Sequence, residues 1–244
     1  MIIFAWAKNK AMIIKICEIG NVREIASIEK LPIDMYDLNF CKDHPSSVYM
    51  HSSDTGMLPD YAVNPLKNRT VAVKPNWQVR IGTFEDEMPQ NIITRVYNFN
   101  LRGIQLNGNE TPTMCENLKL TLVPDLCPEL LIIKRIAVNK PGDIEVYRRY
   151  EQVVDYFLFD AEGNDRGTCD NRFDWSWLNA YQGEKPFLVG GGIGYEEGRI
   201  AALNSIENPR FAGVNISKQN MIQVKKRTNI QLLSFMNSLK EMKV

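Results

Sequence analysis

The sequence predicts an α/β fold, built either as a (β/α)8 barrel or as a doubly wound sheet. Eight short apolar runs rich in β-branched residues recur along the chain, and stretches of helical character lie between most of them. The 244 residues suit one large domain or two small ones, and α/β barrels commonly form a single unit of this length. No linker, low-complexity tract or strong internal repeat divides the sequence, which favours one domain.

The predicted strands are short, largely apolar runs separated by stretches of helical character. In chain order they are residues 12–17, 33–40, 79–84, 102–107, 130–136, 154–160, 186–190 and 211–216. Parallel neighbours need a crossover between them, usually a helix, and most of the intervening segments supply one.

The predicted helices begin with side chains that can accept hydrogen bonds from a first turn or that complement its dipole. They are residues 21–30, 88–99, 111–120, 174–181, 195–206 and 228–242, with a brief fifth helix near 142–152. Their expected N-caps are Asn21, Thr111 and Asp174. In the last helix a three-residue spacing predicts a docking face of Ile230, Leu233, Met236 and Leu239.

Two segments depart from the repeating pattern. Residues 51–77 contain three prolines and no helical period, so we expect the second helix to be reduced or replaced by a loop. Residues 1–11 are predicted to be an N-terminal extension, with Met12 a possible biological start and residues 12–244 forming the barrel domain. The opening run lacks the basic start and small-residue cleavage site of a signal peptide.

The composition narrows the classes of partner. The 29 basic and 29 acidic residues cancel, so there is no bulk electrostatic case for nucleic acid or an anionic membrane. No apolar run approaches the length of a membrane span. The five cysteines are an odd number without a C-x-x-C pair, which argues against a disulfide framework or structural zinc site and fits the cytoplasm.

A glycine cluster in the stretch KPFLVGGGIGYEEG, residues 185–198, has two readings. The first is a tight strand-to-helix turn, because glycine clusters are common at turns. The second is a main chain whose N–H groups, together with a helix N-terminus, hold an anion such as a phosphate. The cluster matches neither a G-x-G-x-x-G dinucleotide motif nor a P-loop.

Several strand ends stand in a familiar order: IIKIC, VRIGTFEDEMP, GIQLNGNE, LFD followed by RFDWSWL, and PFLVGGGIGYEEG. This order, which runs from about Met12 to the last helix, resembles the phosphoribosylanthranilate isomerase family of tryptophan biosynthesis. The resemblance implies a single (β/α)8 TIM barrel that catalyses an Amadori rearrangement and needs no metal or redox cofactor. It also implies a phosphorylated small-molecule substrate, no nucleic-acid or membrane partner, and a monomer or homodimer.

The resemblance implies Cys17 as the general base and Asp160 as the general acid. Without it, a cysteine that ends an apolar strand is most often a buried small side chain, and Asp160 is a polar strand end. The substrate and phosphate positions implied are Gly191, Gly192, Ser217, Lys218, Gln105 and Ser46.

The chain also departs from the family pattern at its strand ends. Glu18 replaces a glycine after the base, Asp37 a glycine in strand two, and Asn215 an aspartate in strand eight. Asn107 replaces a histidine. Ser46 stands where an arginine grips the substrate carboxylate, a position for which Lys42 or His44 could substitute. These changes leave two alternatives to the isomerase: a non-catalytic paralogue that binds a ligand or protein, and an enzyme retargeted to another phosphosugar.

Overall fold

The computed structural model describes residues 11–20, 22–28, 30–42, 44–48, 78–124, 126–161, 173–193, 199–218 and 229–242. Eight parallel strands form a closed barrel in chain order, and the last strand pairs with the first. The closed sheet confirms the (β/α)8 barrel and excludes a doubly wound open sheet.

All eight predicted strands are confirmed, with ends that differ by a few residues at most. They are β1 (Ile13–Ile19), β2 (Met35–Asn39), β3 (Val79–Phe84), β4 (Gly103–Leu106), β5 (Leu131–Val138), β6 (Tyr156–Ala161), β7 (Phe187–Val189) and β8 (Phe211–Ser217). Apolar runs identify them well, because both faces of each strand are covered in a barrel of this kind.

Helices surround the barrel within the described ranges. The α-helices are α1 (Val22–Ile28), α2 (Pro89–Asn98), α3 (Pro112–Leu122), α4 (Arg199–Leu203) and α5 (Asn229–Glu241), and the 3-10 helices are Pro141–Arg149 and Trp175–Ala180. The Thr111 cap is confirmed, because its side chain accepts a hydrogen bond from the N–H of Met114 at 3.2 Å. No described helix is both long and apolar enough to cross a membrane.

The helix predicted at residues 174–181 is confirmed as a short 3-10 helix, Trp175–Ala180, and Asp174 caps it by accepting from the N–H of Ser176 at 3.0 Å. The docking face predicted for the last helix is confirmed at Met236 and Leu239 and was wrong at Leu233. In α5, Leu233 is 40% exposed, and the buried face consists of Leu232, Phe235, Met236 and Leu239. A spacing of i, i+3, i+4 and i+7 follows the helical repeat, whereas a strict three-residue spacing drifts round the helix.

Some predictions fall outside the described residues. The reduced second helix was expected within residues 51–77, the N-terminal extension covers residues 1–11 of which only Ala11 is described, and the cap at Asn21 is not described. The first turn of the helix predicted from residue 195 is likewise outside the described ranges.

The barrel interior changes from apolar to polar along the strands. A buried apolar cluster fills the interior towards the amino ends of the strands: Ile13, Met35, Ile81, Ile133, Tyr156, Leu158, Leu188 and Ala212. Side chains that point to one face of a strand recur every second residue. The next interior level, towards the carboxyl ends of the strands, therefore holds Lys15, Asp37, Thr83, Arg135, Asp160 and Gly190.

Candidate active site

The polar level lies at the carboxyl ends of the strands, which is where barrels of this kind place their active sites. Cys17 is two residues beyond Lys15 on β1, and Asp160 is on β6. Both side chains therefore face the same interior from different sides of the barrel. The Asp160 carboxylate is close enough to contribute to the raised pKa of the Cys17 thiol.

The Cys17 thiol is partly buried and contacts β8 by two hydrogen bonds. Its sulfur donates to the carbonyl of Ile216 and accepts from Nδ2 of Asn215, each at 3.5 Å. Burial raises the pKa of Cys17 well above that of an ordinary thiol, and carboxylates at Glu18, Asp37 and Asp160 raise it further. The Lys15 ammonium acts in the opposite direction.

Lys15 is fully buried, and its charge is balanced inside the barrel. Its Nζ donates to Oδ2 of Asp37 at 2.5 Å and to Oδ1 of Asn215 at 2.9 Å. A buried charge of this kind is tolerated only when it is paired and hydrogen-bonded. Asp37 and Asn215, two of the departures from the family pattern, are thus both partners of the same ammonium group.

Glu18 follows the thiol in a backbone conformation that favours glycine, with φ of 70°. The pairing register of β1 with β2 shifts between Ile16 and Ile19, so that β1 carries an extra residue at this point. The N–H of Glu18 donates to Oδ1 of Asp37 at 2.8 Å, and its carboxylate accepts from the hydroxyl of Ser217 at 2.8 Å. The bulge therefore turns the Glu18 carboxylate towards β8.

The carboxylate of Asp160 is held between two neighbouring strands. Oδ2 lies 3.5 Å from Nε of Arg135, a residue on β5 whose Nη2 donates to the carbonyl of Ala161 at 3.0 Å. On the other side it lies against Gly190, where an added Cβ would stand 2.6 Å from Oδ1. Close approach of a side chain thus explains the first glycine of the cluster.

The other two glycines have a different reason. Gly191 and Gly192 have φ of 83° and 71°, a region that residues with a Cβ rarely adopt. Within the described residues, neither N–H donates a hydrogen bond to another group. The positive φ values fit a turn, and the two N–H groups at the strand end leave the anion reading open.

Lys218 and Ser46 are brought together at the ends of β8 and of the segment after β2. Nζ of Lys218 lies 3.5 Å from the Ser46 hydroxyl and donates to both oxygens of Glu24, at 3.0 and 3.2 Å. Lys42 is exposed, with 74% of its side-chain surface accessible. His44 accepts from the N–H of Ser46 through Nδ1 at 3.1 Å. The cation beside Ser46 is therefore Lys218, which lies about 170 residues away in the chain and was predicted only as a phosphate ligand.

Gln105 lies in the interior on β4 and is 3% exposed. Its amide nitrogen donates to Oδ1 of Asn107 at 2.9 Å, whereas Oε1 is buried with no hydrogen-bond partner among the described residues. Oγ1 of Thr83, the residue paired with Gln105 across β3 and β4, is likewise buried and has no partner in the described part of the chain. Buried polar atoms are normally satisfied, so these two mark a position where a polar ligand atom would be stabilised.

Arg135 and Thr83 were not predicted as site residues. Both follow an apolar interior residue, Ile133 or Ile81, at the two-residue spacing of a strand, and this spacing was the signal that could have found them. Among the described residues, no group of three or more His, Cys, Asp or Glu side chains could hold a metal ion.

Comparison with known proteins points to one family. A family model described as N-(5'-phosphoribosyl)anthranilate (PRA) isomerase matches residues 59–218, more than half of the chain. The curated N-(5'-phosphoribosyl)anthranilate isomerase of Phocaeicola vulgatus is 29% identical over 230 residues, which cover 94% of this chain and 98% of that protein.

Solved structures of the same name share the fold. The phosphoribosyl anthranilate isomerase of Thermotoga maritima aligns with a TM-score of 0.69 at 20% identity, covering 95% of this chain and 100% of that one. A phosphoribosyl anthranilate isomerase in complex with reduced 1-(o-carboxyphenylamino)-1-deoxyribulose 5-phosphate aligns with a TM-score of 0.67, also at 20% identity and with the same coverage.

Proposed function

The chain belongs to the N-(5'-phosphoribosyl)anthranilate isomerase family, and we propose that Cys17 and Asp160 carry out the reaction of this family at the carboxyl ends of its barrel strands. The function is the Amadori rearrangement of N-(5'-phosphoribosyl)anthranilate in tryptophan biosynthesis, which makes the chain an intramolecular aldose–ketose isomerase.

The rearrangement needs one acid and one base. Asp160 donates a proton to the ring oxygen as the bond from that oxygen to C1 of the sugar breaks, and the nitrogen lone pair forms a C=N bond. The Cys17 thiolate then removes the proton from C2, whose electron pair forms the C1–C2 double bond of an enolamine. The enolamine becomes the ketose when its C2 hydroxyl loses a proton, which makes the C2 carbonyl, and C1 gains one. C2 is oxidised and C1 is reduced within the same molecule, so no external oxidant or reductant is needed.

The single observation that carries this assignment is the shared interior position of the two groups, one on β1 and one on β6. The Asp160 charge is one of the contributions that raise the pKa of Cys17. The reactive arrangement has the proton on the carboxyl and the charge on sulfur, and a protonated Asp160 no longer opposes formation of the thiolate.

The substrate carries a phosphate and a carboxylate, and each needs hydrogen-bond donors. The N–H groups of Gly191 and Gly192 are the proposed phosphate donors, and the Ser217 hydroxyl would join them by turning away from Glu18, to which it donates in this structure. Lys218, beside Ser46, is the proposed cation for the second anionic group. Gln105 supplies a buried oxygen, without a partner among the described residues, that would accept a hydrogen bond from a sugar hydroxyl.

We also propose a cellular location and an oligomeric state for the protein. The odd number of cysteines fits a reducing compartment, and we propose the cytoplasm. A monomer or a homodimer is proposed for the assembly, and a monomeric form of a dimeric family member from Thermotoga maritima has been solved.

The test is turnover of N-(5'-phosphoribosyl)anthranilate by the purified protein, together with complementation of a strain that lacks this isomerase. Cys17→Ala and Asp160→Ala should each reduce kcat by at least about a hundredfold, as expected for loss of a general acid or base. Cys127→Ala is the matched control, because its thiol is buried near the carbonyl of Leu101 at the opposite end of the barrel. Background turnover by a well-folded wild type would contradict the assignment and favour the non-catalytic or retargeted barrel.

A further inference from the structure

The amide of Asn215 connects the buried ammonium of Lys15 to the sulfur of Cys17. Its Oδ1 accepts from Nζ of Lys15 at 2.9 Å, and its Nδ2 donates to the sulfur at 3.5 Å. No other described side chain donates a hydrogen bond to this sulfur. Asn215 is itself 7% exposed, so water does not compete freely for either end of the amide.

Lys15 fixes which way this amide points. An asparagine side chain has one accepting and one donating end. If the amide were reversed, its N–H groups would face and repel the ammonium, and its oxygen would face the sulfur, where it would repel a thiolate. Asp37 holds the ammonium in place through the contact of 2.5 Å. The orientation is therefore determined by the Lys15–Asp37 pair.

We propose that Asn215 is a positioning residue for the base: oriented by Lys15, it donates its N–H to the Cys17 sulfur and stabilises the thiolate relative to the thiol. The neutral thiol does not depend on the amide of Asn215, because its S–H donates to the carbonyl of Ile216. The thiolate cannot donate to that carbonyl and depends on the amide. The inference rests on the proposed function only in taking Cys17 as the base.

The surroundings of the sulfur make this donor necessary. The charged groups that face it are Lys15 and Glu18 on β1, Asp37 on β2 and Asp160 on β6. Near them lie Arg135 against Asp160, and His44 and Ser217 against Glu18. Three carboxylates oppose one ammonium, so an aspartate in place of Asn215 would bring a fourth negative charge into direct contact with the sulfur.

The experiment measures the thiol directly and does not depend on catalysis. Alkylation of the purified protein by iodoacetamide is followed across pH by mass spectrometry of the peptide that contains Cys17. Asn215→Asp should raise the apparent thiol pKa by about one unit, which lowers the alkylation rate at pH 8 about threefold, since a more basic thiolate is also more nucleophilic. Asn215→Leu should raise it by a smaller amount, because it removes the donor without adding a charge.

A double variant separates this role from a merely structural one. Asp37→Asn combined with Asn215→Asp moves the carboxylate from β2 to β8, and Lys15 keeps one anionic partner. If Asn215 serves only to pair Lys15, the double variant should match the wild type in stability, thiol pKa and kcat/KM. Under our proposal, stability is retained while the thiol pKa stays raised and kcat/KM stays about tenfold or more below that of the wild type.

The outcomes are distinguishable from failure of the proposed function. An unchanged thiol pKa in a folded Asn215→Asp variant overturns the inference even if the enzyme is active. A raised thiol pKa in a protein without turnover supports the inference and contradicts only the isomerase assignment.

Discussion

The carboxylate of Asp160 lies against the Cα of Gly190, at a place where a methyl group would stand 2.6 Å from Oδ1 and 2.7 Å from Cγ. Real Cβ atoms do not approach other atoms so closely, so one of the two groups must move if a side chain is added. The glycine on β7 thus determines where the proposed acid on β6 can sit.

Gly190→Ala should therefore lower kcat by about ten- to a hundredfold, because a displacement of about 1 Å in a catalytic group has an effect of this size. The measurement is steady-state kinetics beside thermal unfolding. Gly142→Ala is the matched control, since Gly142 lies in a 3-10 helix where no neighbouring atom of the described residues comes within 4 Å of the added Cβ. Equal activity of the two variants would show that Asp160 does not need its observed position.

Glu18 provides a second test because it combines strain with an unfavourable charge. Glu18→Gly and Glu18→Ala both remove the carboxylate that raises the pKa of Cys17, so the thiol pKa should fall in both. Only glycine also relieves the backbone at φ of 70°. The glycine variant should be more stable than the alanine variant by about 1 kcal/mol.

Both variants lose the hydrogen bond that Ser217 donates to Glu18, so this loss does not affect the difference in stability between them. Chemical denaturation gives the difference in the free energy of unfolding, and cysteine alkylation gives the thiol pKa. Equal stability of the two would mean that the bulge of β1 relaxes when its side chain is removed.

The sequence predicted the strands more completely than it predicted the candidate site. The apolar runs located all eight strands, since a strand covered on both faces needs such a run. The two-residue spacing after Ile133 would also have found Arg135. Local patterns did not reveal that Lys218 reaches Ser46, because this contact joins segments about 170 residues apart and exists only once the barrel closes. They also did not reveal the strained φ of Glu18, which depends on the register of β1 against β2.

Lys218 offers a prediction about substrate binding. Lys218→Met should raise KM about tenfold or more with a smaller effect on kcat, because a charge-assisted hydrogen bond to a substrate anion contributes about 1.5–3 kcal/mol. Glu24→Gln should lower KM, since Glu24 competes with the substrate for the ammonium group.

Lys42→Met is the matched control, because Lys42 lies at the same end of the barrel with 74% of its side-chain surface exposed. An exposed lysine of this kind contributes little to binding. If Lys218→Met, like Lys42→Met, leaves KM at the wild-type value, Lys218 does not contact the substrate. The cation that replaces the family arginine must then be sought elsewhere.

Stability at alkaline pH tests the burial of the thiols. Burial raises the pKa of Cys115, on α3, from 9.0 to about 11. Between these values the unfolded chain releases the thiol proton and the folded chain keeps it, so the folded state loses stability as pH rises. The contribution is fully present below pH 9 and declines by about 1.4 kcal/mol per pH unit up to about pH 11.

Cys115→Ala should lower stability at neutral pH by about 1 kcal/mol or less, because it leaves a small cavity. It should also make the free energy of unfolding fall less steeply between pH 9 and 10 than it does in the wild type. The two slopes are obtained from urea denaturation at several pH values, and their difference does not depend on the cavity, which contributes equally at each pH. Parallel slopes would mean that the thiol ionises as easily in the folded protein as in the unfolded chain, and hence that α3 does not exclude water from Cys115.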